Sequence, residues 1–570
     1  MAPLPAALWL LGLFLAAPVL RIGARSYTFA DRLRDALILG TGIPFALAFA
    51  HVLYPAALWV ALALCVIVRV TRPNAGVTQT KPPYILVAAI AIVAWPPLMR
   101  PLLDGDSVSY HLPNAAAWVH AHGFWTTDPR YWWYPPASEC FASALYAVSG
   151  PFGTPWSGLG PLLLLGFRLF DWARELGAKP LLADALAAAI VTLAPIALQA
   201  GTLQNDVWLA AFYVEMVWAG RRGDTAAGIG SAAVAALLKP YGILFAIVAA
   251  ASTRANARVW IAALAAFALW ILHDAILWNA AIVPAAATSS SNGAASSIVA
   301  HGIGALGLLA GVALESSPFV AIALLAALFG PLLAKRAAAG WCALFALAFY
   351  LVMPLGYSGP GPQLATGASL RYAAPAIALG AVLLTPFLVP VWAVATAVLI
   401  AGTLLAAAKN LALFSNDLPT LAAPGVALVA AAVVAWAQRL KSPWPIVAGV
   451  AAAIVASGIL AARQPVAYYT DAYRYGGKRS GIYEWIARRQ PEAIAGNGLA
   501  LGTVNVLSPH TRTLDLSDTA PCATARAQRA LLVAVAEPTR TPSFDAKRLH
   551  AARACGTVVY DDGISVASAP

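Results

Sequence analysis

Asp104 and Asp106 stand one glycine apart directly after a long apolar stretch, in the run Leu103-Asp104-Gly105-Asp106-Ser107-Val108-Ser109-Tyr110-His111-Leu112-Pro113. Carboxylates beside a membrane-length segment are costly unless they sit at the aqueous boundary and have a task there. On extended backbone, residues two apart project to the same side, so both acids could address one pocket. A carboxylate there could accept the proton of an attacking hydroxyl, or the pair could hold a divalent cation that neutralises a leaving phosphate. The plainer alternative is a polar boundary in which Asp106 caps the helix that follows.

The same loop, about residues 100–155, carries other groups of chemical use. His111, beside Tyr110, could bind phosphate or orient an acid, against the commoner role of a satisfied interface histidine. An amphipathic stretch over residues 114–122 is followed by Trp125, Tyr131, Trp132, Trp133, Tyr134 and Glu139, aromatics that suit either a membrane-interface belt or stacking on a sugar. Farther along, Gln204-Asn205-Asp206 opens an apolar segment, where Asp206 either lines a polar cavity or caps the helix. Lys239 interrupts two apolar segments, and Arg371-Tyr372 follows the Gly/Pro-rich residues 356–367. Both cations suit a phosphate, Arg371 through planar bidentate contact, and snorkelling to lipid headgroups is the competing explanation.

The elements that must position these groups are membrane helices. In a chain of 570 residues, 61% hydrophobic and 11% charged, apolar runs repeatedly approach the roughly 20 residues that cross a bilayer, which excludes an ordinary soluble enzyme. About sixteen spans can be drawn, at residues 5–20, 36–52, 55–70, 83–99, 156–172, 181–198, 204–220, 226–238, 241–252, 258–275, 318–334, 341–355, 373–387, 391–408, 422–438 and 444–461. The net charge of +12 lies in short clusters between them, the pattern of the positive-inside rule and not of a nucleic-acid surface. With the N-terminus outside, one face collects clusters such as Arg32/Arg34, Arg69/Arg72, Arg221/Arg222 and Arg439/Lys441. The other face receives the Asp104/Asp106 loop, residues 276–317, residues 356–372 and everything after about Ala462. The first segment lacks a basic n-region and reads as a retained anchor more than a cleaved signal.

Residues 1–461 thus form an all-α polytopic membrane bundle, and residues 462–570 a small extracytoplasmic α/β domain. In the tail, β-like runs such as 531–535 and 557–560 alternate with helical patterning. A cap over the bundle or the site is its simplest role. Cys522 and Cys555 both fall in the tail, where an oxidising compartment would permit a disulfide.

The run Asp104-Gly-Asp106-Ser-Val-Ser-Tyr110-His111-Leu-Pro113, followed by Tyr134-Pro-Pro-Ala-Ser-Glu139, resembles bacterial membrane glycosyltransferases of the GT-C superfamily, nearest to the family 39, protein-mannosyltransferase-like group. The resemblance covers roughly residues 83–372. It implies a GT-C-like fold, a polyprenyl-phosphate-linked sugar donor, Asp106 as catalytic acid residue and Asp104 as its neighbour. In this chain Gly105 separates two acids that are often adjacent in the family. Asp106 would act as general base on an extracytoplasmic hydroxyl, with inversion. Lys239 and Arg371 would bind the donor phosphate, and His111, Tyr110, Tyr134, Glu139 and Asp206 would line the substrate site. The acceptor would be a glycan, lipid or protein and the location the bacterial inner membrane, with no nucleic acid involved. A divalent cation on Asp104 and Asp106 is the one cofactor left open. A transporter or flippase of lipid-linked glycans and a non-catalytic envelope assembly protein are the alternatives; a transporter would call for ionisable residues in mid-membrane.

Overall fold

The computed structural model describes residues 4–20, 27–71, 83–98, 100–102, 104–129, 134–279, 302–333, 338–353, 369–412, 465–472, 479–497, 501–515, 521–536 and 542–570. The expected spans at 422–438 and 444–461, the boundary at 461/462, the aromatics Tyr131, Trp132 and Trp133, and the stretch 356–367 lie outside them.

Apolar helices pack around a core rich in alanine, with Trp9, Trp172, Trp208 and Trp270 among its largest fully buried side chains. Among the described residues, Ala257–Trp278, Leu370–Leu388 and Trp392–Asn410 are long and apolar enough to cross a membrane. The pair Pro180–Val191 and Ala194–Gly201, bent by 72°, makes a fourth if counted as one span. Pro195, in the first turn after the break, suits that bend because it has no N–H to donate. Other expected spans are shorter apolar helices, such as Thr225–Ala236 and Gly242–Ser252. At 1.5 Å per residue, 12 residues rise only about 18 Å of the roughly 30 Å hydrocarbon core.

The long helices leave large apolar side chains outward: Ile261, Leu264, Leu272 and Ile276 on one, Val394, Val398, Leu404 and Leu405 on another, each at least half exposed. Water is a poor solvent for such faces, whereas lipid covers them without cost. Within 276–317, Gly302–Ser316 is an apolar helix, whose four glycines obscured the pattern although membrane helices tolerate glycine.

Arg34, counted in a basic cluster on one face of the spans, is fully buried. It joins a network with Asp31, Asp35, Arg168 and Glu215: Arg34 Nε donates to Asp35 (2.7 Å), Arg168 Nη2 to Asp31 (2.7 Å) and Arg168 Nε to Glu215 (2.5 Å). Asp31 also closes a capping box with Thr28 at the start of Phe29–Phe49, so the helix end and the network fix one another.

The tail holds a five-stranded sheet, β1 (Ala493–Asn497), β2 (Arg512–Asp515), β3 (Leu531–Val535), β4 (Thr557–Asp561) and β5 (Ser565–Ala569), in the order β2-β1-β3-β5-β4. β1 is parallel to β2 and β3, and β5 is antiparallel to β3 and β4. Side chains alternate along β3: Leu532 and Ala534 join a core with Leu549 and Cys555, while Val533 and Val535 join another with Ile482, Ile486 and Val504. That second core is continuous with Leu102, Val108, Leu112 and Ala142 of the first loop, so the tail docks on the loop by one face of its sheet. On the far face a Cys522–Cys555 disulfide, Cα atoms 5.4 Å apart, ties helix Pro521–Ala527 to the turn before β4.

Candidate functional site

The two aspartates are not on extended backbone: Asp104 lies in a bend and Gly105–Asp106 begin the helical segment that follows. Asp104 is the cap, because its Oδ1 accepts from the Ser107 backbone N–H (2.9 Å) and from Gln204 Nε2 (3.2 Å). Asp106, the residue the sequence offered as a cap, makes no capping bond. Its Oδ2 accepts instead from Arg371 Nη2 at 2.6 Å, with 36% of the side chain still exposed. A single π-helical turn, Ser107–His111, follows, closed by Leu112 N–H donating to the Ser107 carbonyl. Such widened turns favour functional sites, since the extra residue redirects side chains. Ser107 Oγ pins the turn by accepting from Leu203 N–H at 2.7 Å.

Asp206, in the first turn of helix Asp206–Arg221, does not cap it either. Gln199 Oε1 accepts from Val207 N–H (3.1 Å), which leaves the Asp206 carboxylate for cations. Lys239 Nζ donates to Asp206 Oδ1, and Arg371 Nε lies 3.4 Å from Asp206 Oδ2. Asn205 Nδ2, bonded to the Leu238 carbonyl (2.8 Å), holds the turn that carries Lys239. Arg371 sits on the short 3-10 turn Ser369–Ala373, and its Nη2 also donates to the Tyr372 hydroxyl at 2.8 Å. Lys239 stands 5.0 Å from the Tyr372 ring and 5.6 Å from that of Tyr241. Two carboxylates and two cations therefore alternate in a line: Asp106, Arg371, Asp206, Lys239.

The line sets the protonation states. Burial pushes the Asp106 carboxyl up, but the charges of Arg371, His111 and Lys239 outweigh it and hold the group below the usual carboxylate range. Asp104 goes the other way: burial raises it, and its two Ser107 hydrogen bonds only partly offset that. For Lys239, burial favours the neutral amine but Asp206 overrides it, so the ammonium persists above its ordinary range.

His111 and Glu139 face each other in the interior, Nδ1 to Oε1 at 2.5 Å, and Ser138 Oγ donates to the other Glu139 oxygen at 2.7 Å. Glu139 thus orients His111 and is 2% exposed. Tyr110 stacks obliquely on His111 with centroids 4.0 Å apart and approaches Tyr134 at 5.7 Å. Trp125 is partly exposed, its Nε1 donating to the Phe49 carbonyl.

A small cleft of about 10 Å³ lies beside the charged line. Asp206, Arg371, Tyr372 and Tyr241 supply its polar lining, and Leu209, Phe245, Phe349, Met353 and Pro375 its apolar lining. The sequence reading missed the apolar lining, although Tyr241/Phe245 and Phe345/Phe349 each stand at the i, i+4 spacing that places aromatics on one helix face. Asp104 and Asp106 are engaged by different partners, and among the described residues no group of three or more His, Cys, Asp or Glu gathers at metal-binding distance.

No protein-family model matches the chain, and no curated protein matches it. Among solved structures it is similar to apo ArnT from Cupriavidus metallidurans, at 17% identity and a TM-score of 0.48 over 85% of this chain and 97% of that one. At that level the likeness carries nothing about chemistry, which has to be read from this chain's own residues.

Proposed function

We propose that this chain is an integral membrane glycosyltransferase of the GT-C type, moving a sugar from a polyprenyl-phosphate-linked donor to a hydroxyl of a glycan, lipid or protein. The observation that carries the reading is that Arg371 and Lys239 meet on Asp206, beside a small cleft that Asp206 and Arg371 line together with aromatic and aliphatic side chains. A phosphate joined to an isoprenoid chain likewise pairs charge with apolar surface, and Arg371 offers the planar fork that phosphate oxygens accept.

The acceptor oxygen attacks the anomeric carbon from the side opposite the phosphate, its proton passes to Asp106, and the bond from anomeric carbon to phosphate oxygen breaks with inversion. The electron pair leaves on the polyprenyl phosphate, whose growing charge Arg371 and Lys239 stabilise. Arg371 cannot serve Asp106 and a phosphate at full strength together. When the donor phosphate draws it away, Asp106 loses the charge that depresses its basicity, so the base becomes competent only with donor in place. In this reading the site and the tail lie on the extracytoplasmic face of a bacterial inner membrane, which the clustering of basic residues on the opposite side of the spans supports.

One observation favours a transporter: Arg34, Arg168 and Glu215 are ionisable groups buried inside the bundle. Their carboxylates and guanidiniums are paired with one another, however, as in a structural network. Proteoliposomes loaded with a synthetic polyprenyl-phosphate sugar and a mixed acceptor extract decide between the two. Release of free polyprenyl phosphate that depends on Asp106 supports transfer. Movement of intact donor across the vesicle without release would overturn it.

A further inference from the structure

The acid-bearing turn is gripped on both sides by the tail. Ahead of Asp104, the Tyr469 hydroxyl donates to the Leu102 carbonyl at 3.0 Å. Beyond Asp106, helix Leu501–Leu507 lies so close to the π-helical turn that a Cβ on Gly502 would stand 2.6 Å from Val108 Cα and 2.8 Å from the Val108 carbonyl oxygen. Those are backbone atoms, which cannot swing aside as a side chain can. Leu102 and Val108 are both buried beneath the tail. Farther along the loop, the Pro509 carbonyl accepts from His120 Nε2 and from the Tyr146 hydroxyl, each at 2.8 Å, and Arg512 pairs with Asp128 at 3.1 Å.

We propose that the tail positions the base, with Gly502 and Tyr469 as positioning residues that fix Asp106 opposite Arg371. This rests on the glycosyl-transfer reading for its kinetic consequence, but the grip itself does not. The bundle carries Arg371, Asp206 and Lys239 on its own helices and turns, whereas Asp106 rides on a turn held from the tail. A glycine at 502 is what allows two backbones to meet, and any side chain there pushes the turn off its seat. The tail's other core, with Leu532, Leu549 and the Cys522–Cys555 bridge, is on the opposite face of the sheet and does not feel the change.

The test compares Gly502→Val, Gly502→Ala and Tyr469→Phe with wild type in the full-length protein. Amide hydrogen exchange over residues 104–112 should accelerate by about tenfold while helix Asp206–Arg221 stays protected. The kcat for polyprenyl phosphate release should fall about 10- to 100-fold with KM for the lipid donor nearly unchanged, because small displacements of a reacting group are costly. Unchanged exchange protection over β3 and β5 shows that the tail is still folded. If Gly502→Val does not fold, Gly502→Ala and Tyr469→Phe carry the comparison. Unchanged exchange at 104–112 overturns the proposal, and so does a loss of kcat without faster exchange there. A wild-type protein that releases no polyprenyl phosphate sinks the transferase reading, while the exchange data still decide the grip.

Discussion

Arg371 Nη2 lies 2.6 Å from Asp106 Oδ2, joining residues 265 positions apart. The contact binds the first large loop to the start of a membrane-length helix, and through Arg371 it reaches Asp206. Asp106→Asn keeps the shape of the side chain but removes its ability to take a proton. Polyprenyl phosphate release should fall by about 10² to 10⁴. Arg371→Lys should not rescue Arg371→Ala, because an ammonium cannot hold two oxygens in one plane. Wild-type turnover in Asp106→Asn would remove Asp106 from the mechanism.

Asp206 is the buried hinge of the charged line. Asp206→Asn leaves Lys239 and Arg371 side by side without their shared counter-charge, a change worth about 3–5 kcal/mol of stability for a broken buried pair. The double variant Asp206→Asn with Lys239→Met should be less damaging than Asp206→Asn alone. Thermal unfolding in detergent measures both, and a double variant that is worse than the single one would contradict the pairing.

The opposed shifts of the two acids separate them as bases. With Asp106 held below the ordinary carboxylate range, kcat/KM for the free enzyme should show no acidic limb above about pH 5. A limb higher than that would pass the base role to Asp104, whose carboxyl is raised by burial. Rate measurements from pH 4.5 to 8 decide it, repeated in Asp104→Asn, where such a limb should vanish.

Docking of the tail has its own pH dependence. Burial is the largest influence on His120 and lowers its pKa, with His510 and His122 adding to it, while the Pro509 carbonyl and Asp128 oppose. The docked histidine therefore binds fewer protons than the released one. The docking energy it contributes is fully present above about pH 6.5 and is lost as pH falls below that, down to the lowered value. Limited proteolysis at the junction of loop and tail should quicken between pH 7 and 5.5, and less so in His120→Gln. Equal acceleration in both would show that another group titrates.

Much of the site was legible as residue types and little of it as partnerships. Asp104, Asp106, Asp206, Lys239 and Arg371 stood out because charges are rare and expensive beside apolar segments. Which acid would cap and which would pair was hidden, since that turns on a helical Gly105–Asp106 step and on Gln199 and Gln204 reaching in from elsewhere. Tail strands β3 and β4 were visible from their β-branched runs, whereas the grip of Gly502 on Val108 had no local signal. Arg168 and Glu215 escaped notice inside runs that read as uniformly apolar. A mean over many residues conceals one charge on a helix, and only the fold shows that each has its opposite.

That last pairing bears on how the chain enters the bilayer during synthesis. Arg168 and Glu215 are 47 residues apart, so the helix with the arginine emerges well before the one with its carboxylate. An arginine at the middle of a lone helix costs about 2.5 to 3.5 kcal/mol to insert. Asp31, on a helix made earlier still, already offers it a partner. Asp31 is itself shared with Arg34, so the guanidinium of Leu159–Glu175 draws on one carboxylate from a helix made before it and one from a helix made after it, and the network spans chain segments completed at different times.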